Sequence, residues 1–130
     1  MRECGGVWTY VAIAIGGIVG CCLRYGQTGF VQAVWGRDFP YATLSINVIG
    51  SFLMGFLFIA TVERVTMAPE LRAGILTGFL GGYTTFSTFS MEALLLIEQG
   101  EAGSAILYLA LSVGLGLLAA FSGAYIARNL

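Results

Sequence analysis

The stretch Gly81-Gly82-Tyr83-Thr84-Thr85-Phe86-Ser87-Thr88-Phe89-Ser90 crowds two kinds of chemistry into ten residues. Two adjacent glycines followed by two threonines weaken a helix, since each glycine costs roughly 1 kcal/mol against alanine. Inside a bilayer the backbone groups freed by a break need partners, and unwound carbonyls can hold a cation. Beyond that point, Phe86 and Phe89 stand three residues apart and share one helix face. Thr85, Ser87, Thr88 and Ser90 add hydroxyls that donate as well as accept hydrogen bonds. A phenyl ring has a negative face and a positive edge. Two rings presented edge-on among hydroxyl donors therefore make a neutral path for a small anion. Two phenylalanines alone would read as packing; the polar residues between them are what a lipid-facing helix would not carry.

Three further side chains belong with this string. Asn47 offers an amide N–H₂ to an anion, or an interhelical hydrogen bond worth about 0.6 kcal/mol. Glu92 is the one acid well inside an apolar segment, and such acids are functional candidates by default. It fits a proton-coupled carboxylate, a gate, or a residue near the water interface. Arg24 would draw anions towards a vestibule, or anchor its helix by snorkelling.

The elements that must position these residues are legible from charge. Of 130 residues, 58% are hydrophobic and 10% charged, against about 25% charged in a soluble domain. Four stretches carry no charge: 20 residues between Glu3 and Arg24, 24 between Asp38 and Glu63, 19 between Arg72 and Glu92, and 26 between Glu101 and Arg128. A membrane-spanning helix needs about 20 apolar residues. The expectation is an all-α integral membrane protein, one domain over 1–130, with spans near 7–23, 41–62, 73–97 and 105–126. The third of these is interrupted by the Gly81 string. Between the first two, Tyr25 to Tyr41 carries interface aromatics and is expected as a connection, at most with a short surface helix. Pro69 stops one helix or opens the next.

Four spans put both termini on one side, with Arg2, Arg64, Arg72 and Arg128, and leave Arg24 and Arg37 on the other. An excess of two arginines is a weak positive-inside bias. Cys4, Cys21 and Cys22 do not form a disulfide framework; the adjacent pair is expected to pack as small apolar residues. An N-terminal signal peptide is the other reading of residues 1 to 23, but Glu3 weakens its basic region and cleavage would leave three spans. With no histidine and no lysine, His-based acid–base or metal chemistry is excluded.

The ten-residue string resembles the signature of the Fluc fluoride channels, also called CrcB proteins. Leu23-Arg24-Tyr25, Asn47, and Tyr108 with Ser112 match in order, and the likeness covers essentially the whole chain. The resemblance implies an antiparallel, dual-topology homodimer in the bacterial inner membrane, with two fluoride pores. It implies a structural Na⁺ at the dimer centre on the main-chain carbonyls of Gly81 and Thr84 from both subunits. Phe86 and Phe89 would be the aromatic box that fluoride passes, with Asn47 nearby. Ser87, Thr88, Tyr108, Ser112 and Glu92 would line the polar track, and Arg24 the vestibule. Gly116 stands where some relatives carry a further hydroxyl.

The function expected is passive, selective fluoride export, with no enzymatic activity. Two rival readings are a small proton-coupled exporter and a non-transporting assembly subunit. The first would want a central carboxylate, whereas Glu92 lies towards the end of its segment. The second would use the polar run for helix contacts.

Overall fold

The computed structural model describes residues 5–130; Met1 to Cys4, including the Arg2 and Cys4 considered above, lie outside the described residues. Every described element is helical. Helix α1 covers Val7–Trp35, 29 residues. Helix α2 covers Tyr41–Ile59 and closes in a wide π-helical turn, Ala60–Arg64. Helix α3 runs through three consecutive stretches, Pro69–Ala73, Gly74–Leu80 and Gly81–Tyr83, the middle one π-helical. Helix α4 is Ser87–Glu98 and α5 is Ala102–Asn129.

Among the described residues, three helical stretches are long and apolar enough to cross a membrane: Val7–Trp35, Tyr41–Arg64 and Ala102–Asn129. Their outward side chains are those a bilayer accepts, among them Ile15, Ile18, Leu118 and Phe121, each more than half exposed. With lipid as solvent, apolar burial no longer drives helices together, and close packing through small residues takes its place. The chain is a multi-pass membrane protein.

The helix crossings follow the glycines. α1 lies against α3, where a methyl group on Gly16 or Gly20 would overlap the carbonyl oxygen of Gly74 or Phe79. α2 lies along α5 in the same way, with Gly55 against Ala120 and Gly123 against Phe52. The most deeply buried large side chains, Ile46, Leu80 and Tyr108, sit one on each of α2, α3 and α5.

α1 departs from the reading that ended its span at Leu23. It continues through Arg24 for a further three turns, and the chain reverses at Gly36, whose φ of 80° and ψ of −174° favour glycine. The reason is that Arg24, half-buried, has a partner across the helix crossing. Its guanidinium reaches the carbonyl of Gly82 on α3, so the charge is accommodated within the bundle and the helix has no cause to stop.

Candidate functional site

The backbone between α3 and α4 is where the polar chemistry collects. Tyr83 is the last helical residue of α3, and Thr84 is extended, with φ −83° and ψ 159°. The Thr85 N–H would close a helical turn onto the Gly81 carbonyl, but donates instead to Asn47 Oδ1 at 2.9 Å. Asn47 Nδ2 donates back to the Thr85 carbonyl at 2.9 Å. One side chain on α2 thus takes both backbone groups of Thr85, and one of its two amide hydrogens is left for another acceptor. Thr84 spends both its N–H and its hydroxyl on the Leu80 carbonyl, at 3.0 and 2.8 Å. The first turn of α4 is capped by Thr85, whose Oγ1 accepts from the Thr88 N–H at 3.2 Å. Arg24 Nε donates to the Gly82 carbonyl at 3.1 Å.

Gly81, Thr84, Thr85, Phe86 and Asn47 border one open hollow, completed by Gly50, Ser51, Met54 and Ala120. It contains no carboxylate. Neutral oxygens released from helical pairing are of the kind that can hold a cation.

Asn47→Leu keeps the volume but strips both partners from Thr85. Losing bonds of about 1 kcal/mol each, with buried groups left unpaired, is expected to speed deuterium exchange at Thr84 to Phe86 by roughly tenfold or more. Exchange mass spectrometry on reconstituted protein checks this, and an unchanged rate would show that Asn47 does not hold the interruption.

The aromatic residues form a second group. Phe86 is 77% exposed, whereas Phe89 is 8% exposed, and their ring centroids are 5.6 Å apart. Phe89 lies 5.1 Å from Tyr108, and Phe39 meets Tyr108 edge-on at 5.7 Å. One turn beyond Phe89, Glu92 accepts hydrogen bonds from the Thr43 hydroxyl at 2.5 Å and the Tyr108 hydroxyl at 3.4 Å. Glu92 and Thr43 also border a hollow lined by Gln32, Arg37, Asp38 and Gln99. Ser112, one turn from Tyr108 on α5, has a buried hydroxyl oxygen with no hydrogen-bond partner. Ser87 is exposed, with its Oγ 3.4 Å from Thr85 Oγ1.

Seven of the residues singled out from sequence fall into two neighbouring sets. Gly81, Thr84, Asn47 and Phe86 meet at the first hollow; Phe89, Tyr108 and Glu92 meet behind it, and Phe86 touches both. Arg24 stands apart, on the Gly82 carbonyl. Thr43 and Gln27 were missed. Thr43 precedes Asn47 by four residues, so helical periodicity alone puts it on the same face. Gln27 lies three residues after Arg24, beyond the end of the charge-free run.

An all-helical, multi-pass membrane protein with a polar interruption beside tilted and edge-on aromatics is the class these observations define. The family model described as "CrcB-like protein, Camphor Resistance (CrcB)" matches residues 11–124, and the chain belongs to that family. It is 57% identical over 121 residues to a protein of Acidithiobacillus ferrooxidans named "Fluoride-specific ion channel FluC", covering 93% of this chain and 97% of that one. A protein of the same name from Geobacter sulfurreducens is 49% identical over 122 residues, covering 94% and 98%.

Proposed function

We propose that the protein is a fluoride-selective channel through which the anion leaves the cell passively. The observation that carries this reading is the Phe86–Phe89–Tyr108 aromatic series with its hydroxyls, in a chain 57% identical to a named fluoride channel. Hydrogen fluoride crosses a bilayer as the neutral acid and dissociates in a more neutral cytoplasm, which traps the anion. An inside-negative membrane drives fluoride outward with about 2.3 kcal/mol per charge per 100 mV. The protein's task is selection: ring edges, hydroxyls and the spare amide hydrogen of Asn47 replace water around the ion without holding it too tightly.

In this reading α3 and α4 are two halves of one interrupted spanning helix, so the single domain has four spans and both termini on one side. A second copy, inserted in the opposite sense, covers the hollow at Gly81 and Thr84 and completes two pores. Near-balanced arginines suit dual insertion. Gly81 and Thr84 of both copies hold Na⁺ on their carbonyls, and the ion supplies a fixed positive charge at the dimer centre. Phe86 and Phe89 form the box, with Asn47, Ser87, Thr88, Tyr108, Ser112 and Glu92 along the track and Arg24 at the vestibule. The bacterial inner membrane is the site where such export protects the cell.

Fluoride-electrode recordings of efflux from loaded proteoliposomes test the proposal. Efflux well above that of protein-free vesicles, with chloride retained, is the expected result. Efflux no faster than protein-free vesicles would sink it.

A further inference from the structure

Tyr83 is the last helical residue of α3, directly before extended Thr84. Its side chain is 3% exposed, with the ring parallel to Phe79 at 6.2 Å. A buried phenol costs desolvation unless its hydroxyl is paired. Here the hydroxyl donates to Gln27 Oε1 on α1. Gln27 Nε2 donates to Ser45 Oγ on α2 at 3.2 Å, and the Ser45 hydroxyl donates to the Ala42 carbonyl at 2.8 Å. The series runs hydroxyl to amide to hydroxyl and ends on the backbone of α2.

Arg24, three residues before Gln27, holds the carbonyl of Gly82. Helix α1 therefore grips two successive residues of α3, one by its backbone and one by its side-chain tip. Two points fix rotation about a helix axis where one would leave it free. From the other side Asn47 holds Thr85. Thr84 is the residue between these attachments, and its methyl group nests against Gly50, where a Cβ would overlap it.

We propose that Tyr83 and Gln27 are a positioning pair, whose hydrogen bond sets the rotation of the last turn of α3 and thereby aims the freed carbonyls of Gly81 and Thr84. The proposal rests on reading the interruption as the ion site; neither residue touches the permeating ion.

The test uses the full chain in proteoliposomes: Tyr83→Phe, Gln27→Leu and the double variant. Three measurements are made on each, namely thermal stability, deuterium exchange across Gly82 to Ser87, and fluoride efflux. Each single variant is expected to speed exchange across the interruption and to slow efflux, both by about three- to tenfold, as loss of one hydrogen bond implies. The double variant is expected to match the more impaired single, because both changes cut the same bond. Unchanged exchange in Tyr83→Phe, or additive losses in the double, overturns the pairing. A fall in melting temperature with exchange raised evenly along α1 and α3 overturns it too, since that is a packing role. Tyr83→Phe removes one oxygen atom and carries the test alone if Gln27→Leu fails to reconstitute. A wild-type protein that passes no fluoride counts against the channel reading, while the exchange measurements still decide the pairing.

Discussion

With Phe89 replaced by isoleucine, fluoride efflux is expected to fall to the level of protein-free vesicles while the protein keeps the parent's elution volume. Isoleucine fills most of the apolar space that Phe89 occupies between Phe86 and Tyr108, so the core around Ala93, Leu96 and Ala105 keeps its packing. What isoleucine lacks is a ring with a positive edge. Phe86→Ile makes the same point at less structural cost, because Phe86 is 77% exposed and little rests on it within one chain. Both variants should therefore lose conduction by two orders of magnitude or more, about 3 kcal/mol in barrier, without loss of assembly. Size-exclusion chromatography beside electrode recordings checks this. A subunit that only scaffolds would show the reverse, with association weakened and no conduction to lose.

Gly20→Val is expected to abolish correctly assembled protein. A Cβ at Gly20 falls on the Phe79 carbonyl oxygen and beside the Tyr83 amide nitrogen, both backbone atoms that cannot step aside. Overpacking of this kind costs at least 1–3 kcal/mol, and the alternative is for α1 and α3 to part. Parting would break Arg24 from Gly82 and Gln27 from Tyr83 together. Gly26→Val is the matched control, since nothing lies within 4 Å of a Cβ there, and it should elute and conduct as the parent does. Equal behaviour of the two variants in chromatography would show that the close crossing at Gly20 does not hold the bundle.

Much of the architecture was readable before any coordinates. Charge-free runs of about 20 residues have few alternatives to membrane helices, and three such helices stand where the runs are. The stop at Tyr83 lies inside the stretch that glycine and threonine propensities single out, because that signal is local. Other features depended on partners remote in sequence. The continuation of α1 past Arg24 was hidden because a charge ordinarily marks water, and only the crossing with α3 reveals a carbonyl waiting for it. Asn47 stands out as a polar residue in an apolar span, yet its engagement with both backbone groups of Thr85 depends on how α2 sits against the segment joining α3 to α4. Glu92 likewise showed as an isolated acid; that Thr43 and Tyr108 both donate to it follows from three helices meeting. Gln27 carried no signal at all, since one amide among interface aromatics suggests nothing without Tyr83 opposite.

The length of α1 has a consequence for the membrane itself. Twenty-nine residues at 1.5 Å each make a rod of about 43 Å, longer than a hydrocarbon layer of about 30 Å but matched to a bilayer measured across its headgroups. Trp8 stands near one end and Trp35 at the other, 75% and 67% exposed, and indole rings favour the headgroup level. The helix is thus a ruler with a mark at each end. Because its middle is bolted to the interruption through Arg24 and Gln27, a bilayer thinner than the ruler must tilt the helix or deform around it. Lipid chain length then becomes a variable that bears on the geometry of the interruption.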